Sequence, residues 1–361
     1  MTTIDRHIII RFFTGIVYLT LALILFLIVL HYVEYIDDFF DRGATMKDVF
    51  LVYYLNYIPE IIRLTSPLAV FLSAVYLTSR LSQKLQIAAL QTSGVSLYRI
   101  MLPFLFVGVI VSSFVFYFNG YIVPKTNKVV IDFEQKYLRG KQIKLDLHDV
   151  HRQNSPGSVI AVGYYDRFSK VANNVSIQDF ENGQFLRARI DADRMVWVDS
   201  TETWRLEVVT ARTFPSDSWP QIVHQDYLDT TLTVFPTDFA RTEREVESMT
   251  IPEAESFIES LRRSGANNTG RTKVGFYNKF SYPFANLIVV LIAVPLASVR
   301  RKGGQAIQIG LGLLVSFLYL ATIKVVEPFG YENSIPPSMA AWLPHVLFFA
   351  LGMFLLIRAR K

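Results

Sequence analysis

The sequence predicts an α-helical integral membrane protein with an all-β domain inserted between two groups of three spans. Three observations lead there. Of 361 residues, 51% are hydrophobic and only 19% charged, and the mean hydropathy of +0.30 is too high for an ordinary soluble domain. Six apolar runs are long enough to cross a bilayer, which takes about 20 residues. Between the third and fourth runs the chain turns polar and acquires strand-like patterning.

The spans come in order. The first runs from about Phe12 to Val33, the second from Ile61 to Thr78 as the apolar half of a longer helix, and the third from Ile100 to Ile122. The others cover about Phe276 to Val299, Ala306 to Val326 and Pro337 to Ile357. The first run lacks a following A-x-A-like site and reads as a retained span. Residues 1–123 thus hold spans one to three, 124–249 a β domain, 250–273 a linker helix, and 274–361 spans four to six.

Lysine and arginine in short loops set orientation. Arg6 and Arg11, then Arg80, Lys84 and Arg99, then Arg300-Arg301-Lys302, and finally Arg358, Arg360 and Lys361 mark one side, with Asp5 as the single acid among them. The opposite side carries "EYIDDFFDRGATMKD" and "EPFGYEN". Both termini are therefore expected in the cytoplasm and the insert outside.

In the insert, "SVIAVGYYDR", "FLRARIDADRMVWV", "WRLEVVTARTF" and "YLDTTLTVF" are expected strands, rich in β-branched and aromatic residues. "ENGQ" at Glu181–Gln184 fits a hairpin turn, since Asn-Gly tolerates positive φ. Such spacing suggests a sandwich or jellyroll-like domain. "TIPEAESFIESLRRSG" reads as the linker helix, with Thr250 and Glu253 at capping-box spacing, Pro252 in the first turn and Gly265 as terminator.

No engine of its own is visible. The chain has no cysteine, which excludes disulfides, thiolate metal sites and cysteine nucleophiles. It has no P-loop, H-E-x-x-H or G-x-S-x-G motif. His148 and His151 in "HDVH" would share a helical face, but a solvated loop is the plainer reading, and no metal or other cofactor is expected. That leaves transport, reception or assembly; an intramembrane enzyme lacks its catalytic residues and ranks last.

Charges at the expected outer span ends are the first candidate site: His31, Glu34, Asp37 and Asp38, then Glu60 and Arg63, then Lys324 and Glu327. A charge at mid-bilayer costs roughly 2.5–3.5 kcal/mol, so such groups pair or face a wet cavity. Either they snorkel to the headgroups, or Glu34, Arg63 and Lys324 line an outward-opening cavity. Lys125 and Lys128 head a basic stretch (Lys136, Arg139, Lys141, Lys144) suited to anionic lipid headgroups, although Asp132, Glu134 and Asp146 interrupt it.

The second candidate is "LQIAALQTSGVSLYR", Leu85–Arg99, between spans two and three. Leu85, Ala88, Ala89 and Leu90 could share one face of a short helix at about residues 82–93, before Ser93-Gly94 breaks it. It is either a spacer or, in a transporter without an ATP site, a contact with an external motor.

The whole chain resembles the permease subunits of the lipopolysaccharide-export ABC transporter, the LptF/LptG (YjgP/YjgQ) type. The resemblance rests on "TIDRHIIIRFF", "DDFFDRGAT", "SPLAVFLSAVYLTSRLS", "ALQTSGVSLYRIMLPF", "YNKFSYPFANLIVVLIAVPLAS" and "IPPSMAAWLPHVLFFALGMFLL". "DDFFDRGAT" leans towards LptG. It implies an inner-membrane subunit, paired with a second LptF/LptG-type permease and driven by a cytoplasmic ABC ATPase dimer. Lipopolysaccharide or a related anionic lipid would leave the outer leaflet of the inner membrane for a periplasmic bridge of jellyroll proteins; no nucleic acid is involved. The short helix becomes the coupling element, with Gln86, Ala89, Leu90, Ser93 and Gly94 its candidate contacts. Two positions depart from the family pattern: Gln86 stands where a glutamate is usual, and Glu34 and Glu60 stand where some LptG members place phosphate-binding lysines. Arg63, one turn after Glu60, is the candidate substitute. The competing expectation is a membrane-anchored periplasmic receptor or assembly factor without ATP coupling.

Overall fold

The computed structural model describes all residues except 1–2, 139–147, 156, 167–168, 182–184, 200, 202, 216–218, 237–242, 264–268, 300–303 and 360–361. The turn "ENGQ", the basic run Arg300-Arg301-Lys302, Arg139, Lys141, Lys144, Gly265, Arg360 and Lys361 therefore lie wholly or mainly outside the described residues. The chain divides into a helical unit (1–142, 246–251 and 270–361) and a second unit (143–245 and 252–269).

The helical unit contains six helices long and apolar enough to cross a membrane. Helix α1 (Thr3–Asp41) is the least covered of them. It stops at a Schellman turn: Gly43 has φ +75°, its N–H reaches Phe40 O at 3.0 Å, and Ala44 N–H reaches Phe39 O at 2.9 Å. Phe39 and Ala44 are both buried, the apolar contact that accompanies this turn. Thr45 then opens the next helix, its hydroxyl accepting from the Asp48 N–H at 3.2 Å. "DDFFDRGAT" is thus a helix stop followed by a helix start.

A π-helical segment (Asp48–Tyr54) runs into α2 (Leu55–Gln83), which contains Pro59 and Pro67. Leu85, at φ +61°, separates α2 from α3 (Gln86–Thr92). Ser96 caps α4 (Leu97–Tyr117), accepting from the Arg99 N–H. A second π-helical segment (Phe118–Ile122) joins α4 to α5 (Val123–Tyr137). The second unit closes with α6 (Ile251–Arg263), whose Ala254, Phe257 and Leu261 are buried at helical spacing. The last three spans are α7 (Gly270–Ser298), α8 (Gly304–Tyr331) and α9 (Pro337–Arg358).

Helix α7 is the centre of the helical unit: 78% of its apolar window is buried, and it packs against α2, α4, α8 and α9. One continuous core joins Ile8, Phe12 and Ile16 of α1 to Val70–Leu77, Phe104–Val115 and Ile288–Ala297. The start of α1 is stapled to the start of α4 by Arg99, which donates to both carboxylate oxygens of the buried Asp5 at 2.9 and 2.7 Å.

The second unit holds a six-stranded antiparallel sheet: β1 His148–Ser155, β2 Ser158–Asp166, β3 Val171–Glu181, β4 Phe185–Val198, β5 Thr203–Thr213 and β6 Gln221–Thr230. Each strand pairs with the next in sequence. The expected inserted β sheet is present, and its connectivity among the described residues is a meander; residues 124–137, at the head of the expected insert, form α5 and group with the helical unit. A core row crosses the sheet through Val150, Val162, Val175, Ala192 and Val209. A second row runs through Tyr165, Ala172, Met195 and Leu206. On β2 to β5 the two rows are three residues apart, an odd step that flat strands would send to opposite faces. Positive φ at Asn174 and Val208, between the rows, creases the sheet and brings both to one side. The sheet curls: after β6, Thr233 N–H reaches Asn154 Oδ1 of β1 at 2.8 Å, and the buried Trp204 donates to Val234 O at 2.7 Å.

The polar strands β1 and β3 carry little alternation and are absent from the expected set. His148 and His151 sit in β1, so the shared helical face fails: on a strand, residues three apart point to opposite sides.

Candidate functional site

Two places in the helical unit gather the expected functional residues. The first is a polar cavity at the end of the bundle away from α3. Its lining includes Glu60 and Arg63 of α2, Asn119 after α4, Glu247, Asn278, Lys279 and Tyr282 of α7, and Lys324 and Glu327 of α8. Its volume of about 70 Å³ admits a few waters and no lipid headgroup.

Inside it, Arg63 forks onto Glu60: Nε donates to Oε2 at 2.8 Å and a terminal nitrogen donates to Oε1. The guanidinium also lies over the Tyr282 ring, 5.4 Å from its centroid. Spacing of i,i+3 puts both residues on one helix face, and Pro59 directly precedes Glu60. On α8, Glu327 is 8% exposed and accepts from Lys324 Nζ at 2.9 Å, Asn278 Nδ2 at 3.0 Å and Tyr331 at 3.3 Å. Lys324 itself is 73% exposed. Lys279 is buried on α7, and its carbonyl accepts from Asn119 at 3.2 Å.

The cavity therefore brings Arg63 and Lys324 together and pairs each with a carboxylate. Glu34, Lys125 and Lys128 are exposed and do not line it. Lys279, Glu247 and Tyr282 are the residues the sequence reading missed. A lysine and two asparagines within an otherwise apolar span, in "YNKFSYPFAN", were the available signal.

His31 belongs to a different cluster. It is buried, with Nδ1 3.1 Å from the Tyr54 hydroxyl and Nε2 3.2 Å from that of Tyr53. Tyr53 donates to Glu134 at 2.7 Å. Since Tyr53 spends its proton on Glu134, Nε2 is the donor towards Tyr53, and a neutral His31 accepts from Tyr54.

The second place is α3. Leu85 opens it in the left-handed region, rare for a leucine. It ends in a second Schellman turn: Gly94 has φ +89°, its N–H reaches Gln91 O at 3.0 Å, and Val95 N–H reaches Leu90 O at 2.9 Å. Leu90 and Val95, the apolar pair of that turn, pack on the core beside the buried Ile87. Gln86, Ala88, Ala89, Thr92, Ser93 and Gly94 remain exposed. The inward anchor is thus Ile87 with Leu90, and the outward face is small and uncharged, with Leu85 on the exposed side.

The comparisons agree with this architecture. The family model for the lipopolysaccharide export system permease LptF/LptG matches residues 6–358. The LptG permease protein of Escherichia coli (strain K12) is 19% identical over 370 residues, covering 96% of this chain and 97% of that protein. LptG of Haemophilus influenzae is 21% identical over 366 residues, covering 100% and 99%. Both relatives are LptG proteins, in line with the lean of "DDFFDRGAT". A match spanning nearly the whole chain, over six membrane-length helices and an inserted β sheet, makes this multi-pass inner-membrane protein a member of the LptF/LptG family of lipopolysaccharide export system permeases.

Proposed function

We propose that the chain is a permease subunit that uses ATP hydrolysis in a partner to extract lipopolysaccharide, or a related anionic lipid, and pass it to a periplasmic bridge. The observation that carries this is α3. A seven-residue helix has no stability of its own in water. Here it is held by Ile87 and by stops at both ends, and it offers neighbours a flat face of Ala88 and Ala89 beside Gln86. Such a face fits a groove on an ATPase. Gln86 would join it by an amide hydrogen bond rather than by charge.

The basic residues Arg6, Arg11, Arg80, Lys84, Arg99 and Arg358 support a cytoplasmic location for both termini and for α3, with the β domain in the periplasm. Of the cations that line the cavity, Lys324 is the most exposed. Arg63, already forked onto Glu60, would meet a phosphate only by exchanging partners, and Lys125 and Lys128 offer a further cationic surface on α5. A second LptF/LptG-type subunit would complete a cavity of lipid size.

Co-expression with a stand-alone ABC ATPase and a second LptF/LptG-type subunit tests this. A stable complex whose ATPase activity rises with added lipopolysaccharide is expected. A chain that purifies without the ATPase would instead favour the receptor reading.

A further inference from the structure

Gln308 joins three helices at the α3 end of the bundle. It lies in the second turn of α8 and is 1% exposed. Its Nε2 donates to Ala297 O at 3.2 Å and to Val299 O at 2.7 Å, while its Oε1 accepts from the Ser79 hydroxyl of α2. Ser82, one turn beyond Ser79, donates to the remaining carbonyl, Ser298 O, at 2.8 Å. Gln305, one turn before Gln308, donates to Tyr76 O of α2 at 3.3 Å.

The last carbonyls of any helix lack intrahelical partners. At the end of α7, three consecutive carbonyls are instead satisfied by side chains from α2 and α8. Gln308 and Ala297 are fully buried, so pulling them apart leaves buried polar atoms without partners, which is costly, and the three helix ends separate reluctantly. Helix α2 continues past Ser79 and Ser82 to the Leu85 turn and α3. Displacement of α3 thus reaches α7, the buried centre of the bundle, through this clamp.

We infer that Gln308 is a positioning residue for transport: it locks the ends of α2, α7 and α8 into one body, so that movement at α3 is delivered to α7 and α8. This rests on the proposed role of α3, but the clamp can be tested apart from it. The variants are Gln308→Leu, which removes both halves of the amide, and Gln308→Glu, which keeps the shape but replaces the donor facing Ala297 O and Val299 O with an acceptor. Hydrogen exchange by mass spectrometry on the purified chain is the first measurement. Both variants should speed exchange at the start of α8 at least about 5-fold and leave α9 within about 2-fold. Unchanged exchange at α8, or equal acceleration throughout the chain, overturns the clamp.

The second measurement is lipopolysaccharide released per ATP hydrolysed by the assembled complex in proteoliposomes. The variants should keep hydrolysing ATP while release per ATP falls at least about 5-fold, with Ser79→Ala intermediate. Ratios equal to wild type overturn the positioning role even where exchange has changed. A wild-type complex without ATP-driven release overturns the reading of α3 and this role with it, while the exchange result still decides whether the clamp exists.

Discussion

Arg63 and Gly94 show how single positions carry the proposed activity. Arg63 and Glu60 are 17% and 13% exposed and neutralise each other, so removing one charge strands the other in a poorly hydrated place. Arg63→Gln is expected to destabilise the helical unit by roughly 3 kcal/mol, read as a lower thermal midpoint in detergent. Lys324→Gln, at a mostly exposed side chain whose partner Glu327 keeps its hydrogen bonds from Asn278 and Tyr331, should lower that midpoint less than Arg63→Gln does and weaken lipopolysaccharide stimulation of the complex several-fold. Equal stimulation would remove Lys324 from the lipid's path. At Gly94, φ of +89° excludes a Cβ at low cost. Gly94→Ala is expected to cost about 1 kcal/mol and to reduce coupled ATPase activity, whereas Gly310→Ala, where nothing lies within 4 Å, should do neither. The sequence made Arg63 and Glu60 legible because i,i+3 spacing is a local fact. It could not reveal their neighbours Lys279 and Tyr282, which arrive from α7, more than two hundred positions along the chain.

At the scale of elements, legibility followed apolar length and local turn chemistry. The six spans were readable because a bilayer demands a long apolar run. The short helix after span two was readable from the break at Ser93-Gly94, but its anchor was not: the buried Ile87 lies outside the expected face of Leu85, Ala88, Ala89 and Leu90. Strands β2, β4 and β5 announced themselves through β-branched and aromatic residues. Strands β1 ("HDVHRQNS") and β3 ("VANNVSIQDFE") did not, since their neighbours in the sheet, not their own composition, hold them extended. The sheet's charged pairs also depend on register: Asp191 sits between Arg189 and its cross-strand neighbour Arg212. Two others titrate predictably. The hydrogen bonds from Lys170 and Arg205 hold Asp199 and Asp229 below the usual carboxylate range. A depressed folded value means the unfolded chain binds more protons there, so these pairs stabilise above the unfolded value of about 3.9 and lose that effect as pH falls through the folded values. Both are exposed and their effect is small. Hydrogen exchange of β4 and β5 in the full chain, corrected for intrinsic rates, should be flat from pH 7 to about 5 and rise only below about 4.

The helical unit is a bundle with a candidate site at each end. Helix α3 stands at one end, where the Asp5–Arg99 staple joins α1 to α4 and the Gln308 clamp joins α2, α7 and α8. The small polar cavity stands at the other, too small for a headgroup. Helix α7 runs between them, from Lys279 to the carbonyls at Ala297–Val299. That α3 docks on an ATPase is the central claim, and the absence of any cysteine from the sequence permits a direct test. Ala89→Cys introduces one thiol on the exposed face of α3, and Gly310→Cys provides a control on α8. With a short thiol-to-amine crosslinker in the assembled complex, the account predicts a single adduct between this chain and the ATPase from position 89 and none from position 310. No adduct from position 89, in a complex that still hydrolyses ATP in response to lipopolysaccharide, would contradict it.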